Sequence, residues 1–185
     1  MNGIRPDLLP ISILMKEHRL IERGIKLLTA EMNKIQETKQ IDPLKIDLFV
    51  DFLRTYTDRN HHGKEEDILF KQLNDKGMFE EHQTIMDKLI KEHEEARRLV
   101  SVLVDAKQKF VTGDLSAVDE VIRCIQSLID FYPKHIYTED HEFFVPSMDY
   151  FEEEELTKMM ADFEEFDKSM LHEKYEAIIE GLEME

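Results

Sequence analysis

The chain has 185 residues, 42% of them hydrophobic, and a formal net charge of -17. A chain of this length and apolar content buries one full core, which excludes a disordered protein, and its acidic balance leaves no basic face for the phosphates of nucleic acid or for anionic lipid. The single cysteine, Cys124, excludes an internal disulfide framework, and with no apolar run of membrane-spanning length and no charged-then-apolar leader the expected location is the cytoplasm.

Glycine and proline are few, six and five, and helix formers dominate, so an all-α fold is expected. Residues 1–10 carry two prolines and read as an irregular lead-in. From Ile11 a helical stripe runs through Leu14, His18, Ile21, Ile25, Leu28, Met32 and Ile35. Its alternating spacing lines one seam, and His18 lies inside it. Asp42 and Pro43 are cap and first residue of helix 2, which continues to about Asn74. Gly77 marks the next break. Helix 3 repeats the helix 1 seam with Leu89, His93, Ala96, Val100 and Leu103, and ends at Thr112-Gly113-Asp114. Helix 4 starts near Leu115, with a seam of Val118, Val121, Ile125, Leu128, Tyr132, His135 and Glu139. Pro133 inside it predicts a kink, and Pro146 predicts its end. A last amphipathic pattern, from Leu156 through Met159, Phe163, Met170, Leu171 and Tyr175 to Ile179, reads as one further helix packed outside. The expected architecture is an up-down-up-down four-helix bundle over residues 1–150, with a C-terminal helix in 151–185 docked on it.

An internal duplication carries the chemistry. Lys16-Glu17-His18 and Lys91-Glu92-His93 open two matched blocks, each with an arginine five residues after the histidine, Arg23 and Arg98. Each block then reaches a His-x3-Glu, His61 to Glu65 and His135 to Glu139, after gaps that differ by one residue. Histidine and glutamate four apart share a helix face, so each pair can reach one ion or two adjacent ions. A single His-x3-Glu is a weak signal; two of them, each preceded by a seam histidine, point to a site for two metal ions. Glu65 and Glu139 as buried anions would cost several kcal/mol each without a compensating cation. Two histidines and one carboxylate per ion suit non-haem iron and leave coordination positions open, while zinc also accepts that set. No thiolate is available for a closed zinc site or an iron–sulfur cluster.

The register of helix 2 leaves two readings. His62 and Glu66 have the same spacing as His61 and Glu65, and the stripe Leu48, Phe52, Leu69, Leu73 favours them. Alignment with the second half favours His61 and Glu65, because Glu65 and Glu139 each precede a phenylalanine, Phe70 and Phe144, by five residues. We take His61/Glu65 as the pair and keep His62 as an additional donor if a bulge widens the helix. Glu66 and Asp140 read as solvated side chains or as outer partners of the ligands. His82, His141 and His172 have no counterpart in the duplication and read as surface histidines. Tyr56 and Tyr132 read as core residues within a turn or so of the ligands.

These segments resemble the haemerythrin-like proteins, the HHE cation-binding family, over about residues 10–150. The resemblance lies in Leu14–Arg23, in His61-His62-Gly63-Lys64-Glu65-Glu66-Asp67-Ile68-Leu69-Phe70, in Glu92–Arg97 and in His135–Asp140. It implies a four-helix bundle around two iron ions with an oxo or hydroxo bridge. His18, His61, His93 and His135 would be the imidazole ligands, Glu65 and Glu139 the carboxylates, and His62 a further candidate. The oxygen-carrying members have another histidine one turn after the helix 3 ligand, where this chain has Arg97, and they end with His-x4-Asp. The resemblance therefore implies sensing, oxygen or peroxide reduction, or iron handling rather than reversible oxygen storage. The expected partners are O2 or a similar small ligand and a redox protein.

Overall fold

The computed structural model describes residues 10–167 and 171–184, the side chains of 171–173 excepted. Residues 1–9 of the lead-in expected over 1–10, and the side chains of Met170, Leu171 and His172, lie outside the described residues. Every regular element among the described residues is helical.

α1 spans Ile11–Thr38. α2 begins as an α-helix at Pro43–Asp51, widens into π-helix over Phe52–His62 and Glu65–Phe70, and closes with Lys71–Asn74. α3 spans Glu80–Val111. α4 runs from Ala117 to Thr138, widens over Glu139–Phe143 and ends with Phe144–Met148. Two tail helices follow, α5 (Glu153–Phe166) and α6 (Leu171–Glu183).

Local chemistry sets these limits. The Asp42 carboxylate accepts from the Leu44 and Lys45 N–H groups at 3.0 and 3.3 Å, satisfying donors that a helix start leaves unpaired. Lys39 ends α1 in the left-handed conformation, φ 54°, donating to the Ile35 carbonyl at 2.8 Å. Gly77 and Gly113 take positive φ, 61° and 102°, in the two later turns, where a Cβ would be strained.

α1 lies against α4, α4 against α3, α3 against α2, and α2 against α1, so the four long helices close a ring. The predicted seams face inward: Leu14, Leu28, Ile35, Leu89, Leu103, Ile125 and Leu128 are fully buried. Each such side chain contributes about 1.5–3 kcal/mol by leaving water. The core is two apolar clusters rather than one. One gathers Ile21, Ile25, Leu28, Tyr56, Leu103 and Ile125. The other gathers Leu14, Leu69, Phe70, Leu89, Phe143 and Phe144. On every long helix the chain passes from one cluster to the other through a histidine or glutamate, so the candidate site is a polar layer between two dry ones.

The tail departs from the single helix expected for it. It divides after Phe166, and the halves serve different clusters: Leu156, Met159 and Phe163 of α5 join the one around Phe70, while Tyr175 and Ile179 of α6 join the one around Tyr56. Pro133 does not break α4, which continues to Thr138 with Tyr132 and His135 anchored in the interior on either side of it. Pro146 lies inside the last segment rather than ending it. Phe143, φ -117°, starts a fresh turn there, and in a first turn the missing N–H of proline would bond nothing.

Candidate metal centre

Seven buried side chains meet in the polar layer: His18 from α1, His61, His62 and Glu65 from α2, His93 from α3, and His135 and Glu139 from α4. None is more than 2% exposed. Their donor atoms form two groups, His62 with His93 and His135, and His18 with His61, Glu65 and Glu139, with the atoms of each group within 4.8 Å of one another.

The two glutamates span the groups. Glu65 turns Oε1 to His61 Nε2 and Oε2 to His93 Nε2, each at 3.4 Å. Glu139 turns Oε2 to His18 Nε2 at 3.1 Å, and Oε1 to His135 Nε2 at 3.1 Å and His93 Nε2 at 3.4 Å. One oxygen of each carboxylate thus faces each group.

The widened backbone explains why both histidines of α2 point inward. Adjacent residues of an α-helix diverge by about 100°, which would turn one of the two outward. A π-helical turn holds more residues and advances each by less, so His61 and His62 share the interior face, each 1% exposed. The carboxylates of the two register readings are placed differently. Glu65 enters the cluster, while Glu66 stands behind it, half-buried, with Oε1 on His93 Nδ1 at 2.7 Å. Long π segments are rare and collect at functional sites. Here Glu65 and Glu139 each open one.

Every histidine of the set has a carboxylate on Nδ1, which leaves Nε2 for the centre. Glu17 holds His61 at 3.0 Å, Glu92 holds His135 at 2.9 Å, and Asp140 holds His18 at 2.7 Å. Asp58 stands 3.4 Å from His62 Nδ1. Such partners fix the ring orientation and raise ligand basicity. The arrangement repeats the duplication. The glutamate before the seam histidine, Glu17 or Glu92, serves the histidine of the next helix in its block, and the acid after the inner glutamate, Glu66 or Asp140, serves the seam histidine of the other block.

A layer of cations stands behind the carboxylates. Lys64, fully buried, bonds Glu17. Arg19 bonds Asp140, and Lys88 lies 3.5 Å from Glu92. Arg97 donates to Asp58 at 2.7 Å and to Glu66 at 2.8 Å, tying together the partners of His62 and His93.

The electrostatics follow. Burial holds the His61 and His62 imidazoles well below their ordinary range, so both are neutral and ready to donate a lone pair. Burial also lowers His18 and His135, but carboxylates outweigh it: Asp140 and Glu139 raise His18, and Glu139 with Glu92 raises His135 to about 9. Burial and the neighbouring Glu139 push Glu65 well above the usual carboxyl range. Glu139 goes the other way, because His135 and the hydrogen bonds around it outweigh burial.

Both oxygens of Glu65, Oε2 of Glu139 and Nε2 of His18 and His135 are buried with no hydrogen-bond partner. Five such atoms in one polar layer suit cation binding and nothing apolar. The model of the Hemerythrin HHE cation binding domain matches residues 9–145. The chain belongs to this family. No curated protein and no solved structure matches it. As an HHE-domain protein it is a cation-binding helical protein, and its histidine and glutamate groups could hold the metal. None of its described helices is long and apolar enough to cross a membrane.

The remaining candidates fall elsewhere. Arg23 pairs with Glu183 on α6 and Arg98 with Glu95, both away from the cluster. Tyr56 packs between Phe52 and Tyr175, ring centroids 5.4 and 5.6 Å away. His141 is exposed. His82, expected at the surface, is half-buried because Tyr150 OH lies 2.7 Å from its Nδ1. The sequence reading missed Asp58, Lys64 and the roles of Glu17 and Glu92. For the last two a signal existed, since both directly precede a seam histidine in the repeated Lys-Glu-His.

Proposed function

We propose that this chain is a non-haem di-iron protein that binds, senses or reacts with O2 or a related small oxidant. The observation that carries the reading is the placing of Glu65 and Glu139, each with one oxygen toward His62/His93/His135 and one toward His18/His61. Iron in such a set supplies redox chemistry and open positions for a small ligand. The protein supplies the rest. Outer carboxylates hold five imidazoles with Nε2 inward. Phe144, Phe70 and Phe131 stack on His18, His93 and His135 at 5.6, 5.9 and 5.2 Å and exclude bulk water. A redox protein is the expected electron donor.

The test is anaerobic loading with ferrous iron followed by exposure to O2. Absorption of a coupled diferric pair should develop; a spectrum indifferent to O2 contradicts the reading. The five unpartnered buried atoms favour a second reading, an iron-responsive or iron-handling module in which metal occupancy stabilises the bundle. A large iron-dependent rise in melting temperature without oxygen reactivity would select it. Zinc or a mixed-metal pair is the third outcome, decided by elemental analysis.

A further inference from the structure

Between α2, α3 and α4 a cavity of about 290 Å³ opens beside the cluster, lined by Arg54, Asp58, His62, Arg97, Ser101 and Tyr132 with apolar side chains between them. It has room for a small ion and several waters, each water filling about 30 Å³. His62, one of the three-histidine group, forms part of its wall. Tyr132 is 2% exposed, yet its hydroxyl makes no hydrogen bond to any described residue. The hydroxyl is not one of the buried unpartnered atoms; it faces the open space of the cavity with its donor unspent. Arg97 spends Nε and one N–H of Nη2 on Asp58 and Glu66, leaving further donors of its five. Arg54 forms no ion pair with any described residue and is exposed at the cavity.

We propose that this cavity is a binding site for a small, hydrogen-bond-accepting monoanion of the size of azide or nitrite, held by the Tyr132 hydroxyl and the Arg97 and Arg54 guanidiniums beside His62. The chain as a whole carries -17 and repels anions, whereas here Arg54 and Arg97 balance Asp58 in the wall and Glu66 behind it, with the guanidiniums facing the cavity. A neutral diatomic gas has no use for such donors; an anion does. The inference rests on the metal-centre reading for its purpose, since the anion would sit next to His62, but the binding groups belong to the protein alone.

The probe is azide, followed by its infrared stretching band in a titration of the iron-loaded chain, with iron content measured on each sample. Tyr132→Phe keeps the ring and removes the hydroxyl, and should weaken azide roughly tenfold or more, the loss of one hydrogen bond to a charged ligand. Ser101→Trp fills the cavity from α3 and should abolish azide binding. Both variants should keep the parent's iron content. Unchanged azide affinity in both variants overturns the inference and leaves the di-iron reading intact. If the parent takes up no iron, the di-iron reading fails; azide binding that still depends on Tyr132 then upholds this inference, and its absence overturns it.

Discussion

Stripping the metal should cost this protein much of its stability. The two Glu65 oxygens, Glu139 Oε2, His18 Nε2 and His135 Nε2 are buried with no hydrogen-bond partner. Each atom of this kind costs about 1–3 kcal/mol, so the five together oppose folding by about 5–15 kcal/mol unless a cation satisfies them. Whole domains are stable by only about 5–15 kcal/mol. A proton retained by Glu65 and the ion pairing of Glu139 with His18 and His135, each at 3.1 Å, relieve part of this, so we take the lower bound, about 5 kcal/mol. At roughly 2–4 °C per kcal/mol for a chain of this size, chelation should lower the melting temperature by about 10 °C or more, and iron should restore it. Calorimetry of loaded, stripped and reloaded protein reads this directly. Glu65→Leu sharpens the test, because it removes two of the five atoms and a buried ionisable group. The stripped variant should be more stable than the stripped parent by about 2 kcal/mol or more, and its melting should ignore iron. The reasoning is refuted if the parent melts at the same temperature with and without metal, or if the stripped variant is the less stable of the two.

Three further outcomes follow from the same geometry. Glu17→Gln and Glu92→Gln each remove the carboxylate on one imidazole, and each should weaken metal binding about 10–100-fold in a competition titration, with little change in helicity. In the stripped protein His135 is raised from 6.5 to about 9, so its contribution to stability is complete below about pH 6.5 and is lost as pH rises through about 9. His61 and His62 are depressed; their contribution is present above about pH 6.5 and is lost as pH falls through their lowered values. Metal must displace the proton on His135, so uptake at pH 7 should release protons and tighten toward pH 9, measurable by calorimetry in buffers of different ionisation enthalpy. Tyr175→Ala, at a fully buried ring that packs on Phe52 and Tyr56 and donates to Asp51 at 2.7 Å, should destabilise by about 3–5 kcal/mol if α6 belongs to the core, and by little in a denaturant melt if it does not.

Much of this was legible in the residues. The seam histidines His18 and His93 show themselves because the 3.6-residue period leaves them nowhere but inside, and Asp42-Pro43 marks a helix start by local chemistry alone. The inner glutamates follow from the duplication. What the sequence withheld depends on backbone width and on distance along the chain. Inward facing of both His61 and His62 requires a π-helical turn, and periodicity arguments assume an α-helical one. Glu66 and Asp140 could be read as outer partners, but which histidine each holds could not, because Asp140 reaches His18 and Glu66 reaches His93 from far along the chain. Lys64 reads as a surface lysine between two polar neighbours until the bundle buries it on Glu17. The break in the tail is equally silent, because the apolar stripe of α5 and α6 continues across it while the two halves dock on different clusters.

The central claim is that two cations share Glu65 and Glu139. Iron-57 Mössbauer spectroscopy of the as-isolated protein, with iron counted per chain, tests it most directly. The account predicts two irons per chain whose ferric form is a magnetically coupled pair. A folded chain holding one isolated iron, or none, with both carboxyls protonated in its interior, would contradict it.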